Sequence, residues 1–198
     1  MARIRVIAGR HANAAPAEQP GSDLGRVLSQ KGTEQVQWRA TRLSSISFDR
    51  VFSSPAVRAI QTAAGVTDRL FDSVERIPEL YTPEGPDGLL IDSMFFEIGY
   101  KPAREYIGHE MDDGCVMRFS QNAGAAIAKI LAQHEEDGVV AMFGHAVFMP
   151  LAFLSLVPED QTELRDKLLD LNLDEAEVFR VTIDNGVVTE VSLYHKDL

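Results

Sequence analysis

The stretch Arg3-Ile4-Arg5-Val6-Ile7-Ala8-Gly9-Arg10-His11 decides how the rest of the chain is read. Its β-branched run from Arg3 to Ala8 predicts a buried strand that ends in an arginine and a histidine. A second apolar run, Val139 to Phe143, closes on Gly144-His145 in the same way. Between the two, Ser53-Ser54-Pro55 marks a helix start, with Ser54 as N-cap and Pro55 as the first helical residue. Arg58 then falls about one turn in, near the positive end of that helix. Strand ends and first helical turns are where α/β proteins collect ligand-binding groups, so two imidazoles and two guanidiniums converge in expectation.

Outward from the first strand, a polar loop runs through Asn13, Pro16, Pro20 and Gly21. Val36, Ala40 and Leu43 give Thr33 to Ser44 a helical spacing, and Phe48 to Phe52 returns as a strand, which outlines a β-α-β unit. Behind Pro55, Val57, Ile60, Ala64 and Leu70 form an apolar stripe. Proline and glycine mark Glu79 to Gly88 as loop, and the mixed pattern of Leu89 to Phe119 predicts a helical excursion over the sheet at about 86–120. Gln121 to His134 reads as an alanine-rich helix and Ala146 to Leu156 as another. Val178 to Ile183 and Val187 to Tyr194 alternate around Asp184-Asn185-Gly186, a hairpin signal. The expectation is an α/β fold, residues 1–198 forming one domain.

Phosphoryl transfer needs cations around the equatorial oxygens, an in-line nucleophile and a proton for the leaving oxygen. Arg10 and Arg58 supply permanent planar charge. His11 is the candidate nucleophile, provided it is neutral, a state that adjacent guanidiniums favour. His145 is placed to donate to the developing charge.

These residues resemble the histidine phosphatase superfamily, whose fold is phosphoglycerate mutase-like. Arg10-His11-Ala12 matches the two chemical positions of that family's Arg-His-Gly triplet. Ser53-Ser54-Pro55-Ala56-Val57-Arg58-Ala59-Ile60-Gln61-Thr62-Ala63 matches its Ser-Ser-Pro-x-x-Arg-Ala-x-Gln-Thr-Ala pattern, and Gly144-His145-Ala146 its late Gly-His motif. Leu28-Ser29-Gln30-Lys31-Gly32-Thr33-Glu34-Gln35 is similar to the segment that opens the family's first long helix. The resemblance runs from Arg3 to about Leu70 and again from about Asn122 to Tyr194. It implies a three-layer α/β/α sandwich with a mostly parallel sheet, transient phosphorylation of His11, a phosphate cradle of Arg10, Arg58 and His145, and no metal or other cofactor.

There are departures as well. Ala12 replaces the triplet's glycine, which is tolerable if that residue keeps negative φ. Asn13 stands where the mutases carry Glu or Gln, and is assigned with Ala146 to substrate binding. The family's proton donor is commonly a Glu in a Leu-x-Glu segment, but Leu80-Tyr81-Thr82 puts Thr82 there. Glu79 is therefore assigned the donor role, with flanking Glu84 next and as a substrate contact. Ile77-Pro78-Glu79-Leu80-Tyr81-Thr82-Pro83 is similar to the SixA-like phosphohistidine phosphatases, some of which lack a dedicated acid; a phosphohistidine leaving group needs less protonation than an alkoxide.

The expected function is a phosphatase acting on a small phosphoester or a protein phosphohistidine through His11. The alternatives are a phosphoglycerate-type mutase and a non-catalytic phosphate-sensing protein. The 19 basic and 30 acidic side chains give a net charge of −11, which disfavours nucleic acid and anionic membranes as partners. Ala146 to Val157 is too short to span a bilayer, and a sole cysteine, Cys115, fits a reducing cytoplasm. His109-Glu110 and Asp112-Asp113 lack the second histidine of a helical zinc motif and read as polar loop. Cys115 lacks a neighbouring cation cluster, and His134 and His195 are expected to face water.

Overall fold

The computed structural model describes residues 2–17 and 23–194; the loop reading at Pro20 and Gly21 and the expectation for His195 lie outside them. A six-stranded sheet runs in the order β3-β2-β4-β1-β5-β6, with β1 (Arg3–Arg10), β2 (Arg50–Ser53), β3 (Glu75–Arg76), β4 (Gly138–Gly144), β5 (Val178–Asp184) and β6 (Val187–Leu193). The pairings among β3, β2, β4 and β1 are parallel, whereas β5 and β6 are antiparallel to their neighbours.

Successive strand residues point to opposite faces, and two cores result. Ile7, Val51, Ala141 and Phe143 pack against α1 (Gln30–Leu43) and α2 (Val57–Thr67). Val6, Ala8, Phe52, Val140 and Met142 face the other way, onto α3 (Pro86–Ile98), α4 (Cys115–Leu131), α5 (Phe148–Leu154) and α6 (Thr162–Leu169). The sheet is thus the middle of three layers, as the resemblance implies. No helix among the described residues is long and apolar enough to cross a membrane.

The Asp184-Asn185-Gly186 hairpin forms as read, with φ of 50° at Asn185 and 83° at Gly186, both in the left-handed region that such two-residue turns require. Other boundaries move for local reasons. Helix α1 begins at Gln30 because Ser29 caps it, its hydroxyl accepting from the Gly32 amide at 3.1 Å. Helix α4 begins at Cys115 rather than Gln121: the Asp112 carboxylate accepts from the amides of Gly114 and Val116 and closes its start.

Helix α2 ends at Thr67, where Asp68 turns left-handed, so Leu70 leaves the expected stripe and is 81% exposed. The excursion at about 86–120 resolves into α3, a 3-10 turn at Ala103–Glu105 and the start of α4. Helix α6 and the short β3 were not anticipated. His134 is half-buried rather than facing water, and its Nε2 is shielded without a hydrogen-bond partner. Cys115 is buried, and its thiol is pushed up to about 11 by burial and by Asp112, consistent with an unreactive thiol.

Candidate active site

Strand register brings the motifs together. Arg10 pairs with Gly144 across β1 and β4, and Ser53 with Phe143 across β2 and β4, so the three strands end side by side. Main-chain bonds extend the ladders past the strand ends. The His11 amide donates to the Gly144 carbonyl at 2.8 Å and the Ser54 amide to the Phe143 carbonyl at 2.9 Å. Ala12 is buried and is not among the positive-φ residues, so its methyl group is accommodated as expected. Its amide donates to Thr62 Oγ1 at 3.0 Å, which ties the loop after β1 to α2.

His11 and His145 are each 8% exposed and Arg58 4%. The two imidazoles meet edge to face with centroids 5.1 Å apart. The His11 Nδ1–H donates to the Ala12 carbonyl oxygen at 2.7 Å, and Arg58 Nε donates to His11 Nε2 at 3.2 Å. This pair of contacts requires the neutral tautomer with its lone pair on Nε2. Burial first, then Arg58, Arg10 and Arg26, lowers the His11 pKa to about 4. The guanidiniums act in the expected direction, but desolvation is the larger cause.

His145 is held well below its ordinary value by burial and by the neighbouring cationic groups. Ser54 Oγ shares a hydrogen bond with His145 Nε2 at 3.0 Å. Ser54 is therefore not the N-cap that the Ser-Pro pattern suggests: the helix starts at Val57, its N-cap position is Ala56, and the hydroxyl is free to orient the histidine. Arg58 consequently lies in the first turn of α2. Arg10 donates to the Leu173 carbonyl at 3.0 Å and stacks 4.7 Å over the Tyr100 ring.

These four residues line a pocket of about 400 Å³, together with Asn13, Asp23, Tyr81, Thr82, Asp92, Ala146 and Glu175. A roomier cleft of about 750 Å³ lies beyond Arg10 and Glu175 but includes neither imidazole nor Arg58. Asn13 and Ala146, assigned to substrate contact, are both in the smaller pocket. The Asn13 amide donates to Glu175 Oε1 at 2.6 Å, and its carbonyl oxygen accepts from the Ser29 hydroxyl at 2.5 Å. Gly32 makes this approach possible: a Cβ there would lie 2.0 Å from the Asn13 main-chain oxygen.

Glu79 and Glu84 do not reach the pocket. Both are exposed, because Ile77 and Leu80 take the inward positions around the Pro78–Leu80 turn and Glu84 precedes α3. The carboxyls that do line it come from Asp23, Asp92 and Glu175. Glu175 is held down to about 2, hydrogen bonds from Lys31, Asn13 and Gln35 outweighing its burial. Hydrogen bonds from Tyr81, Arg58 and Arg26 likewise keep Asp23 ionised against partial burial. Asp92 differs: burial and the charge of Asp23 raise its pKa, against a hydrogen bond from the Thr82 side chain. Thr82 thus lines the pocket at the place where the resemblance leads one to expect a glutamate, and a carboxyl reaches the pocket from α3 instead.

Residues 6–81 match the Histidine phosphatase superfamily (branch 1). No curated protein matches this chain by sequence. A phosphoglycerate mutase from Bacillus anthracis is 21% identical, with a TM-score of 0.66 over 97% of this chain and 93% of that one. The protein histidine phosphatase SixA, solved with tungstate, is 21% identical, with a TM-score of 0.58 over 96% of both chains. A mutant phosphoserine phosphatase from Entamoeba histolytica, solved with phosphoserine, is 18% identical, with a TM-score of 0.64 over 97% of both. At these identities the shared property is the fold, which is phosphoglycerate mutase-like.

Proposed function

We propose that this protein is a histidine phosphatase, hydrolysing a phosphomonoester or a protein phosphohistidine through a covalent intermediate on His11. The convergence of Arg10, Arg58 and His145 on a neutral His11 with its lone pair on Nε2 carries this reading. In the first step Nε2 attacks phosphorus as the bond to the leaving atom, an ester oxygen or a phosphohistidine ring nitrogen, breaks in line, and Asp92 gives its proton to that atom. Arg10, Arg58 and His145 hold the equatorial oxygens. In the second step water attacks the phosphohistidine, Asp92 takes the water's proton, the P–N bond breaks, and neutral His11 returns with free phosphate.

The leaving group needs the acid in proportion to its basicity, so a phosphohistidine ring would depend less on Asp92 than an alkoxide. The comparison proteins named a phosphoserine phosphatase and a protein histidine phosphatase support both substrate classes. A cytoplasmic location is part of this proposal and rests on the lone, buried Cys115.

Incubation with radiolabelled phosphoester, followed by an alkaline quench, tests the reading. A phosphoenzyme that survives base and is lost in acid is expected, and it must vanish in His11→Ala while chelator leaves it unchanged. Label retained by His11→Ala overturns the proposal.

A further inference from the structure

Arg58 is committed on every nitrogen. Nε donates to His11 Nε2 at 3.2 Å, Nη1 to the Asp23 carbonyl at 2.5 Å, and Nη2 to Asp23 Oδ2 at 2.7 Å. Asp23 is itself held by Tyr81 Oη, 2.5 Å from Oδ2, and by Arg26 Nη1, 3.1 Å from Oδ1. The Nε and Nη2 groups share one edge of a guanidinium, the edge that offers two parallel donors to an anion. On Arg58, Nε is taken by the imidazole nitrogen and Nη2 by a carboxylate oxygen, so an anion approaching that edge meets Asp23 beside it.

We propose that Asp23 is an internal competitor for the phosphoryl site, and that its displacement from Arg58 sets the affinity of the pocket for phosphate. This rests on the pocket being the phosphoryl site of the proposed function. A phosphoryl group in line with His11 Nε2 lies beside Arg58, whose Nη2 is already engaged by Asp23 Oδ2. Two anions at one buried guanidinium repel each other, so the presence of Asp23 weakens the hold on phosphate.

The carboxylate is the partner free to move. Its side chain is 47% exposed while that of Arg58 is 5% exposed. The Asp23–Gly25 turn buries none of its residues, and a Cβ built on Gly25 meets nothing within 4 Å. Swinging this turn outward therefore disrupts no core packing. Asp23 then acts as a determinant of selectivity: bare inorganic phosphate displaces it weakly and leaves readily, whereas an ester whose substituent gains contacts in the pocket displaces it more completely.

Titration calorimetry of the full chain with inorganic phosphate tests the proposal, alongside orthovanadate inhibition of p-nitrophenyl phosphate hydrolysis. Asp23→Ala should bind phosphate on the order of tenfold more tightly, the gain expected when about a tenth of the molecules have Arg58 unoccupied. Tyr81→Phe, which loosens Asp23 without removing it, should shift affinity the same way by less, and it carries the test if Asp23→Ala fails to fold. Equal or weaker binding in both variants, with the parent still forming the phosphoenzyme, overturns the competitor and assigns Asp23 to positioning Arg58. Phosphate binding in neither parent nor variants, with no phosphoenzyme, overturns the competitor and the phosphoryl site together.

Discussion

Arg58 Nε points at His11 Nε2 across 3.2 Å, so the guanidinium and the imidazole behave as one unit whose geometry is fixed from the first turn of α2. Lysine has no planar fork and cannot hold both His11 and an oxyanion. Arg58→Lys should lower kcat/KM for p-nitrophenyl phosphate by ~10²-fold or more, the loss typical of removing one preorganised donor. Steady-state kinetics with circular dichroism as a folding control decide it, and a loss below about threefold would refute the assignment.

Ser54→Ala removes the hydroxyl that orients His145. A buried hydrogen bond lost on one side costs about 1–3 kcal/mol. We expect kcat to fall about tenfold, with KM nearly constant, because His145 acts on developing charge rather than on the bound ester. An unchanged kcat would return Ser54 to a purely structural role.

The acid is assigned by leaving-group dependence. Asp92→Asn should slow hydrolysis of an alkyl phosphate by ~10²-fold and of p-nitrophenyl phosphate by only a few-fold, since the weakly basic nitrophenolate leaves without a proton. Equal losses on both substrates would remove Asp92 from proton transfer.

Stability should fall as pH drops from about 6.5 to about 4. In that window the unfolded chain protonates His11 while the folded protein, with its pKa lowered to about 4, does not. The full effect of this one group is ~3 kcal/mol, and buried His145 acts in the same direction. Above pH 6.5 both states are neutral and the contribution is flat. Urea denaturation at pH 7.5 and pH 5 should give a smaller difference for His11→Gln than for the parent; parallel curves would contradict the neutral imidazole.

Gly32→Ala brings a methyl group to within 2.0 Å of the Asn13 carbonyl oxygen, so either α1 or the loop after β1 must move. Forced overpacking of this kind costs about 1–3 kcal/mol. The melting temperature should drop by several degrees and phosphate affinity should fall with it. A fully stable variant with intact phosphate affinity would show the two segments to be independent.

Much of the half of the pocket that holds Arg10, His11, Arg58 and His145 was legible in the sequence because each part announces itself locally. Short apolar runs mark β1 and β4, and parallel pairing then fixes where Arg10, His11 and His145 meet. The opposite wall was not legible. Helix α3 carries apolar residues all round, with Phe96 95% and Leu89 71% exposed, so it shows no single buried stripe that would orient Asp92. Glu79 stands out by its place next to Leu80, but the 3-10 turn there sends Ile77 and Leu80 inward and Pro78 and Glu79 outward, and spacing alone cannot tell which. Ser54 misleads in a different way: Ser-Pro signals a helix start, and only the chain's delay to Val57 frees its side chain for His145. Asp23 pairs locally with Arg26, but the partners that tie it to the pocket, Arg58 and Tyr81, lie far along the chain and leave no local signal.

The main-chain ladders that pass from β1 to β4 and from β2 to β4 anchor the reactive groups to the rigid centre of the protein, while α3 and the Asp23 turn supply the opposite side. The proposed nucleophile and its phosphate cradle thereby sit on one part of the fold, and the proposed acid, Asp92, on another. Under the proposed function, changes confined to α3 and the Asp23 turn that keep Asp92 would alter which ester is accepted while leaving His11, Arg10, Arg58 and His145 in place.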